Sequence, residues 1–193
     1  MHYLVMVIGE DALEQLEQFD ENLEVDEYEV DVVVDKEKED VLKYYSKQGK
    51  EYADFDECYK ENGEDWNGNS WRKGEDGVWR EYSRCNPDGH WDWREIGGRW
   101  AGMIKVKEGV EYEKPSFSWG WPQEEKEKVL AERKTDTALL KDIDNIEDLY
   151  AYAIVSEGEW TESYDYENGK KEVQELLKSL APDTRITFVD CHC

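Results

Sequence analysis

The chain has 193 residues, of which 49 are acidic and 24 basic, so its formal net charge is −25 at pH 7. So large a negative charge argues against non-specific binding to DNA, RNA or anionic membranes, and we expect no direct nucleic-acid binding. Aromatic residues make up 13% of the chain, which is more than a disordered acidic chain carries. A folded protein with an aromatic-rich core is predicted.

The first part of the chain predicts alternating strands and helices. Residues 2–9 are almost continuously apolar and end in glycine, as in a buried central strand. Residues 11–19 place apolar side chains at helical spacing. Residues 28–34 indicate a second strand, and a helix over 35–48 follows.

The middle of the chain predicts an irregular insertion rather than regular elements. Residues at about 54–100 are rich in glycine, asparagine, aspartate and tryptophan, and contain the strong turn Asn86-Pro87-Asp88-Gly89. A strand over 99–106 and a helix over 122–135 are expected after it.

The last part predicts two strands, a helix and a final strand, at 149–156, near 160, at 169–180 and at 185–190. We therefore expect one α+β domain over 1–193, with a mixed or antiparallel sheet covered by helices on one face. A ferredoxin-like arrangement fits this order. The apolar run at the N-terminus is too short for a signal-peptide core or a membrane span, so an intracellular location is expected.

Charge and aromatic residues are concentrated in one segment. Residues 71–107 carry eight basic and six acidic residues, including five of the seven arginines. Within them lies the Trp/Arg block, residues 91–100, where indoles and guanidinium groups suit flat or anionic ligands and glycines permit close approach. The predicted ligand-binding residues are Trp91, Trp93, Arg94, Gly97, Gly98, Arg99 and Trp100. The alternative is a tryptophan-rich core with arginines stacked outward.

A metal site is a second prediction. His2, Asp190 and His192 lie on the first and last strands, and would meet if those strands pair. Two imidazoles and a carboxylate could hold a divalent transition metal, with Asp142 or Asp144 as a further ligand. The alternative is a set of ordinary strand-end residues. Cys191 is not expected to be a nucleophile, because its neighbour His192 faces the opposite side of the strand.

Three motifs together resemble a group of uncharacterised proteins from bacteriophages and prophages. They are HYLVMVIGED at residues 2–11, NPDGHWDWREIGGRWAGM at 86–103 and TRITFVDCHC at 184–193. This chain departs from the pattern at Cys193, where the group has an apolar residue. The resemblance implies a viral or mobile-element origin, a location in the host cell cytoplasm and action on host machinery, including antiviral defence.

Three functions follow from these features. The leading hypothesis is a non-enzymatic protein that counteracts host antiviral defence by capturing a nucleotide-type small molecule on the Trp/Arg block. The second is an acidic mimic of nucleic acid that inhibits a basic host protein, such as a CRISPR nuclease. The third is a metal-dependent phosphodiesterase that acts on a nucleotide signal at His2, Asp190 and His192.

Overall fold

The computed structural model describes residues 1–62, 70–163 and 166–193. These residues form five α-helices, a mixed six-stranded sheet and two small antiparallel sheets, which confirms the expected α+β class. The strands are β1 (His2–Ile8), β2 (Tyr28–Val32), β3 (Ser70–Lys73), β4 (Trp79–Ser83), β5 (Trp93–Ile96), β6 (Ile104–Lys105), β7 (Lys134–Thr135), β8 (Thr137–Leu139), β9 (Ala153–Ser156), β10 (Glu159–Glu162) and β11 (Arg185–His192).

The helices of the described residues are short and mostly amphipathic. They are α1 (Ala12–Glu17), α2 (Asp35–Lys47), α3 (Phe55–Asn62), α4 (Gln123–Ala131) and α5 (Tyr166–Ser179), with 3-10 turns at Leu140–Asp142 and Ile146–Asp148. Across the described ranges, no helix combines the length and the apolar character that a membrane span requires.

The described chain divides into two compact units. The first comprises Met1–Leu23 and Pro87–Cys193, and the second is Glu24–Asn86. The insertion predicted at about 54–100 thus has residues in both units, and its placement within a single domain stays a prediction.

The large sheet belongs to the first unit and has β1 and β11 at its centre. Its strand order is β10-β9-β1-β11-β5, and β8 also pairs with β11. The antiparallel β1–β11 pair sets His2 opposite His192 and Leu4 opposite Asp190, while β9 runs parallel to β1. Both central strands are buried at nearly every position, because neighbouring strands flank them and both faces of the sheet are covered.

Helices pack on both faces of this sheet, so the expectation of a single covered face is wrong. On one face, Leu4 and Phe188 form a core with Val173 and Leu177 of α5. On the other face, strand residues that include Val5 and Val189 form a core with Leu16 of α1. Alternate residues of a central strand point to opposite faces, and the apolar run of β1 supplies both cores.

The second unit has its own aromatic core. Its antiparallel sheet has the order β2-β4-β3, and α2 and α3 supply core residues against it. Phe55 packs edge-on against Trp79 with ring centroids 5.1 Å apart, and Trp71 is buried beside them. The Trp79 Nε1–H donates a 2.8 Å hydrogen bond to Asp56. These two tryptophans therefore stabilise the unit from within.

Candidate ligand-binding site

The Trp/Arg block does not present its tryptophans together. Trp91 is 3% exposed and belongs to the core on the α1 face, whereas Trp93 is 44% exposed and pairs with His192 on the opposite face. An extended segment would place both indoles on one side, but the chain bends at Asp92, where its N–H donates to the His192 carbonyl at 2.8 Å. Of the predicted ligand-binding residues, Trp91 and Trp93 therefore do not share one stacking surface, and Trp91 belongs to the core.

Trp91 and Arg94 form a structural pair. The Trp91 Nε1–H donates to the Leu16 carbonyl at 3.0 Å, and the Arg94 guanidinium lies 4.1 Å from the centroid of the indole ring. Arg94 also donates to the Leu13 carbonyl at 3.1 Å and lies 3.8 Å from Glu17. These contacts tie α1 to the sheet, so the core interpretation describes this half of the block.

Gly97 and Gly98 let the chain turn closely over buried carboxylates. Both have positive φ, at 72° and 57°, and a Cβ at Gly98 would lie 2.6 Å from the Cβ of Asp190. The following N–H, that of Arg99, donates to Asp190 Oδ2 at 3.0 Å. The glycines therefore approach the protein's own side chains, and the immediate effect is to fix the backbone of Arg99.

Asp136 is a second buried carboxylate under this turn and was not among the predicted site residues. It accepts hydrogen bonds from the backbone N–H groups of Gly102 at 2.6 Å and Ser116 at 2.5 Å. Burial raises its pKa despite these bonds. A Cβ at Gly97 would overlap its carboxylate. The sequence motif Thr-Asp-Thr gave no signal for a role that depends on contacts distant in the chain.

Two histidine–carboxylate pairs lie side by side next to the turn. His2 Nδ1 is 2.8 Å from Asp190 Oδ1, and His192 Nδ1 is 2.7 Å from Asp92 Oδ1. The two imidazole centroids are 4.8 Å apart, and the Trp93 ring lies 5.9 Å from that of His2. The structure thus brings the three predicted metal-site residues together and adds Asp92, whose pKa is lowered mainly by its hydrogen bond with His192.

The predicted metal ligands His2, Asp190 and His192 lie close together, but they are not positioned to bind one metal ion jointly. Within residues 1–62, 70–163 and 166–193, no group of three His, Cys, Asp or Glu side chains is placed to hold a metal ion. Both Asp190 oxygens already accept hydrogen bonds, one from His2 and one from the Arg99 backbone. Asp144 pairs with Lys105 at 3.2 Å, and Asp142 lines a cavity near Arg185, at the other end of β11 from His192.

An aromatic cavity of about 290 Å³ opens beside His2. The residues that line it include His2, Leu4, Trp100, Tyr150, Tyr152 and Tyr166. Trp100 reaches this cavity while packing against the core on the α5 face. The volume is at the lower end of the range for small-molecule sites, which is about 300–1,000 Å³, so it suits one flat ring rather than an extended ligand.

Arg99 precedes Trp100 and differs from every other arginine in the described chain. Its side chain is exposed and has no carboxylate or hydrogen-bond partner among the described residues. The other six arginines each bind a carboxylate or a carbonyl oxygen. A guanidinium group with no internal partner is available for an anionic ligand.

A larger cavity of about 450 Å³ lies elsewhere in the first unit, with Glu111, Glu113 and Asp142 in its lining. Its one arginine, Arg185, already forms a 2.7 Å ion pair with Glu10. Carboxylates repel an anionic ligand, and the described lining of the smaller cavity contains none, so that cavity is the better candidate for a phosphate-bearing molecule.

No protein-family model, curated protein or solved structure matches this chain.

Proposed function

We propose that the protein captures a nucleotide-type ligand, with its base in the aromatic cavity beside His2 and its phosphate near Arg99. The observation that carries this proposal is the adjacency of Trp100, which lines the cavity, and Arg99, the one arginine of the described chain without an internal partner. Base recognition and phosphate recognition are then supplied by consecutive residues of one turn.

The aromatic lining supports recognition of a base. Tyrosine and tryptophan rings offer stacking surfaces that tolerate any base, and each stacked base contributes about 1–3 kcal/mol. Two of the lining residues, Tyr150 and Tyr166, pack edge-to-face with their ring centroids 4.7 Å apart. Trp93, exposed beside His2, extends the aromatic surface outside the cavity.

The rigid turn supports recognition of the phosphate. The Arg99 backbone is fixed by Asp190, which is fully buried, and by the glycine pair that precedes it. A ligand then orders only the side chain, which limits the entropy that binding costs. In a protein with net charge −25, one available guanidinium also explains how a single phosphate could bind without general affinity for DNA or RNA.

The resemblance to phage and prophage proteins gives this capture a biological setting. A protein that withdraws a nucleotide signal from host antiviral defence needs to bind the ligand and requires no reaction. We propose this role in the host cytoplasm, with the nucleotide as partner.

The direct test is calorimetric titration of the purified protein with AMP, GMP, CMP and UMP. Trp100→Ala should weaken binding about tenfold or more through lost stacking, and Arg99→Ala should weaken it by a similar factor. Arg84→Ala is the matched control, since Arg84 is exposed, lies in the second unit and carries the same charge. If none of the four nucleotides binds at millimolar concentration, or if Arg84→Ala weakens binding as much as Arg99→Ala, the proposal is wrong.

Mimicry of nucleic acid is the second candidate, and the net charge of −25 favours it. An acidic inhibitor would bind a basic host protein through exposed carboxylates, and screening should weaken that complex steeply between low salt and about 0.2 M. Affinity purification from infected cells at two salt concentrations separates the candidates. A salt-sensitive protein partner displaced by DNA or RNA supports mimicry, and a retained nucleotide supports capture.

A further inference from the structure

We propose that His2 and His192 form a general acid–base pair that cleaves a phosphoester bond of the captured nucleotide. This inference rests on the proposed function and adds a reaction to it. It comes from the two histidine–carboxylate pairs, which the binding role alone does not use.

The orientation of the imidazoles is the first observation. In each ring Nδ1 is bound to an aspartate, Asp190 at 2.8 Å or Asp92 at 2.7 Å. No described group hydrogen-bonds either Nε2 atom, so these nitrogens are the ones open to a ligand. A carboxylate that holds one ring nitrogen fixes the orientation of the imidazole, which is how histidine bases are supported in hydrolases.

The position of the pair is the second observation. His2 and His192 are directly opposed on neighbouring central strands, and their ring centroids are 4.8 Å apart. His2 also lines the cavity proposed for the base, together with Trp100. The Arg99 backbone shares Asp190 with His2, one oxygen each. Asp190 therefore joins His2 to the turn that carries Arg99 and Trp100, and this turn lies next to the two imidazoles on a rigid sheet.

The reaction balances with the two imidazoles alone. One neutral Nε2 takes the proton of an O–H nucleophile, which is either water or the ligand's own 2′-hydroxyl group. The oxygen of that nucleophile forms a bond to phosphorus as the bond to the leaving oxygen breaks. The other imidazole, protonated at Nε2, donates its proton to the leaving oxygen. Proton exchange with solvent restores both rings, and no oxidant or reductant is required.

The chain offers a matched control in its third histidine. His90 also lies beside a carboxylate, with Nδ1 3.2 Å from Glu162, but it stacks flat on Trp160 at 4.5 Å. It does not line the cavity beside Trp100. Replacing it tests whether any histidine–carboxylate pair matters or only the pair on β1 and β11.

The experiment incubates the full chain with the ribodinucleotide ApA, with its deoxy counterpart and with EDTA, and identifies products by mass spectrometry. We expect His2→Asn and His192→Asn to lower the cleavage rate about 100-fold or more, and His90→Asn to leave it unchanged. Cleavage of ApA alone identifies the 2′-hydroxyl as nucleophile, and cleavage of both substrates, with ¹⁸O from labelled water in the product, identifies water. Either set of products supports general acid–base catalysis by His2 and His192.

Three results would overturn the inference. The first is ApA binding without cleavage, which leaves the proposed capture intact. The second is cleavage that EDTA abolishes and added metal restores, since it assigns the histidines to a metal. The third is full activity in His192→Asn, whose half-exposed side chain should be replaceable without unfolding the sheet. Absence of any nucleotide binding would instead contradict the proposed function itself.

Discussion

Two tryptophan–arginine sets lie within one ten-residue block and have opposite surroundings. Trp91 and Arg94 are stacked on each other, hydrogen-bonded to α1 and enclosed in the core on the α1 face. Trp93, Arg99 and Trp100 occupy the other side of the sheet or the turn beyond it, where they are exposed or line a cavity. The same residue types therefore stabilise the fold in one set and remain available to a ligand in the other.

The two arginines are the same residue type, and they differ in whether the donors of the guanidinium group already have partners within the protein. The Arg94 guanidinium has a carbonyl, a carboxylate and an indole face as partners. Among the described residues, only the backbone of Arg99 has a hydrogen-bond partner, because the glycine turn directs that backbone onto Asp190. An arginine whose donors are already satisfied cannot bind phosphate without losing those bonds, whereas Arg99 loses nothing.

Removal of the enclosed indole should give the largest effect on the fold. Trp91→Ala leaves a cavity in the core and removes a buried hydrogen bond, so we expect a loss of about 3–5 kcal/mol in the free energy of unfolding. Trp93→Ala, which removes a 44% exposed indole, should cost less than about 1 kcal/mol. Urea unfolding of the two variants measures both. Equal losses would contradict the division of the block into an enclosed and an available half.

The glycine turn should be the next most sensitive feature. Gly98→Ala places a Cβ at positive φ and 2.6 Å from Asp190, and we expect it to cost about 1–3 kcal/mol. Gly109→Ala is the matched control, because Gly109 also has a positive φ, at +80°, but a Cβ there would meet nothing within 4 Å. Its loss of stability therefore measures the cost of the positive φ alone, without a steric clash. Thermal unfolding measures both variants. Equal losses of stability would contradict the close contact between the turn and Asp190.

The rate of cysteine labelling should show, without any ligand, that Trp91 covers the core on the α1 face and that Trp93 does not. Cys191 is fully buried beside Trp91 in the core, and burial raises the pKa of its thiol to about 12. At pH 8 it stays protonated and slow to react with iodoacetamide, while the exposed Cys85 and Cys193 react readily. Trp91→Ala should speed labelling of Cys191 by at least about tenfold, and Trp93→Ala should leave it slow. Peptide mass spectrometry would show either pattern, and the reverse order would contradict the assignment of faces.

The smallest effect on the fold is expected at Arg99. Arg99→Ala removes an exposed side chain without a described partner, so the free energy of unfolding should change by less than about 0.5 kcal/mol. If the proposed capture of a nucleotide in host defence is right, the same variant should lose activity in a phage-infection assay, because the proposed phosphate contact is removed. A large loss of folded protein would mark Arg99 as structural and remove the basis of the proposed function.

Local patterns predicted much of the fold. The apolar runs of β1, β9 and β11 and the helical periodicity of α1 and α5 are continuous in sequence, so each was recognisable alone. Coverage of both faces was not foreseen, because it depends on α1 and α5 packing on opposite sides of the sheet, which no local pattern specifies. The ferredoxin-like arrangement stays a prediction.

The candidate site was predictable in composition but not in arrangement. His2, Asp190 and His192 were grouped because they lie on the first and last strands, which the structure pairs. The partition of Trp91 from Trp93 depends on a single bend at Asp92, and the roles of Asp92 and Asp136 depend on hydrogen bonds to distant residues. No local sequence pattern encodes those contacts.

The indole N–H signals of the nine tryptophans in a proton–nitrogen NMR spectrum test the central claim most directly. Tryptophan-to-phenylalanine variants assign each signal, and the protein is titrated with the tightest binder among AMP, GMP, CMP and UMP. We predict that the Trp93 and Trp100 signals shift with nucleotide, while those of Trp91, Trp71 and Trp79 stay in place. Shifts at Trp91 with none at Trp100 would contradict the assignment of the available half of the block as the nucleotide site.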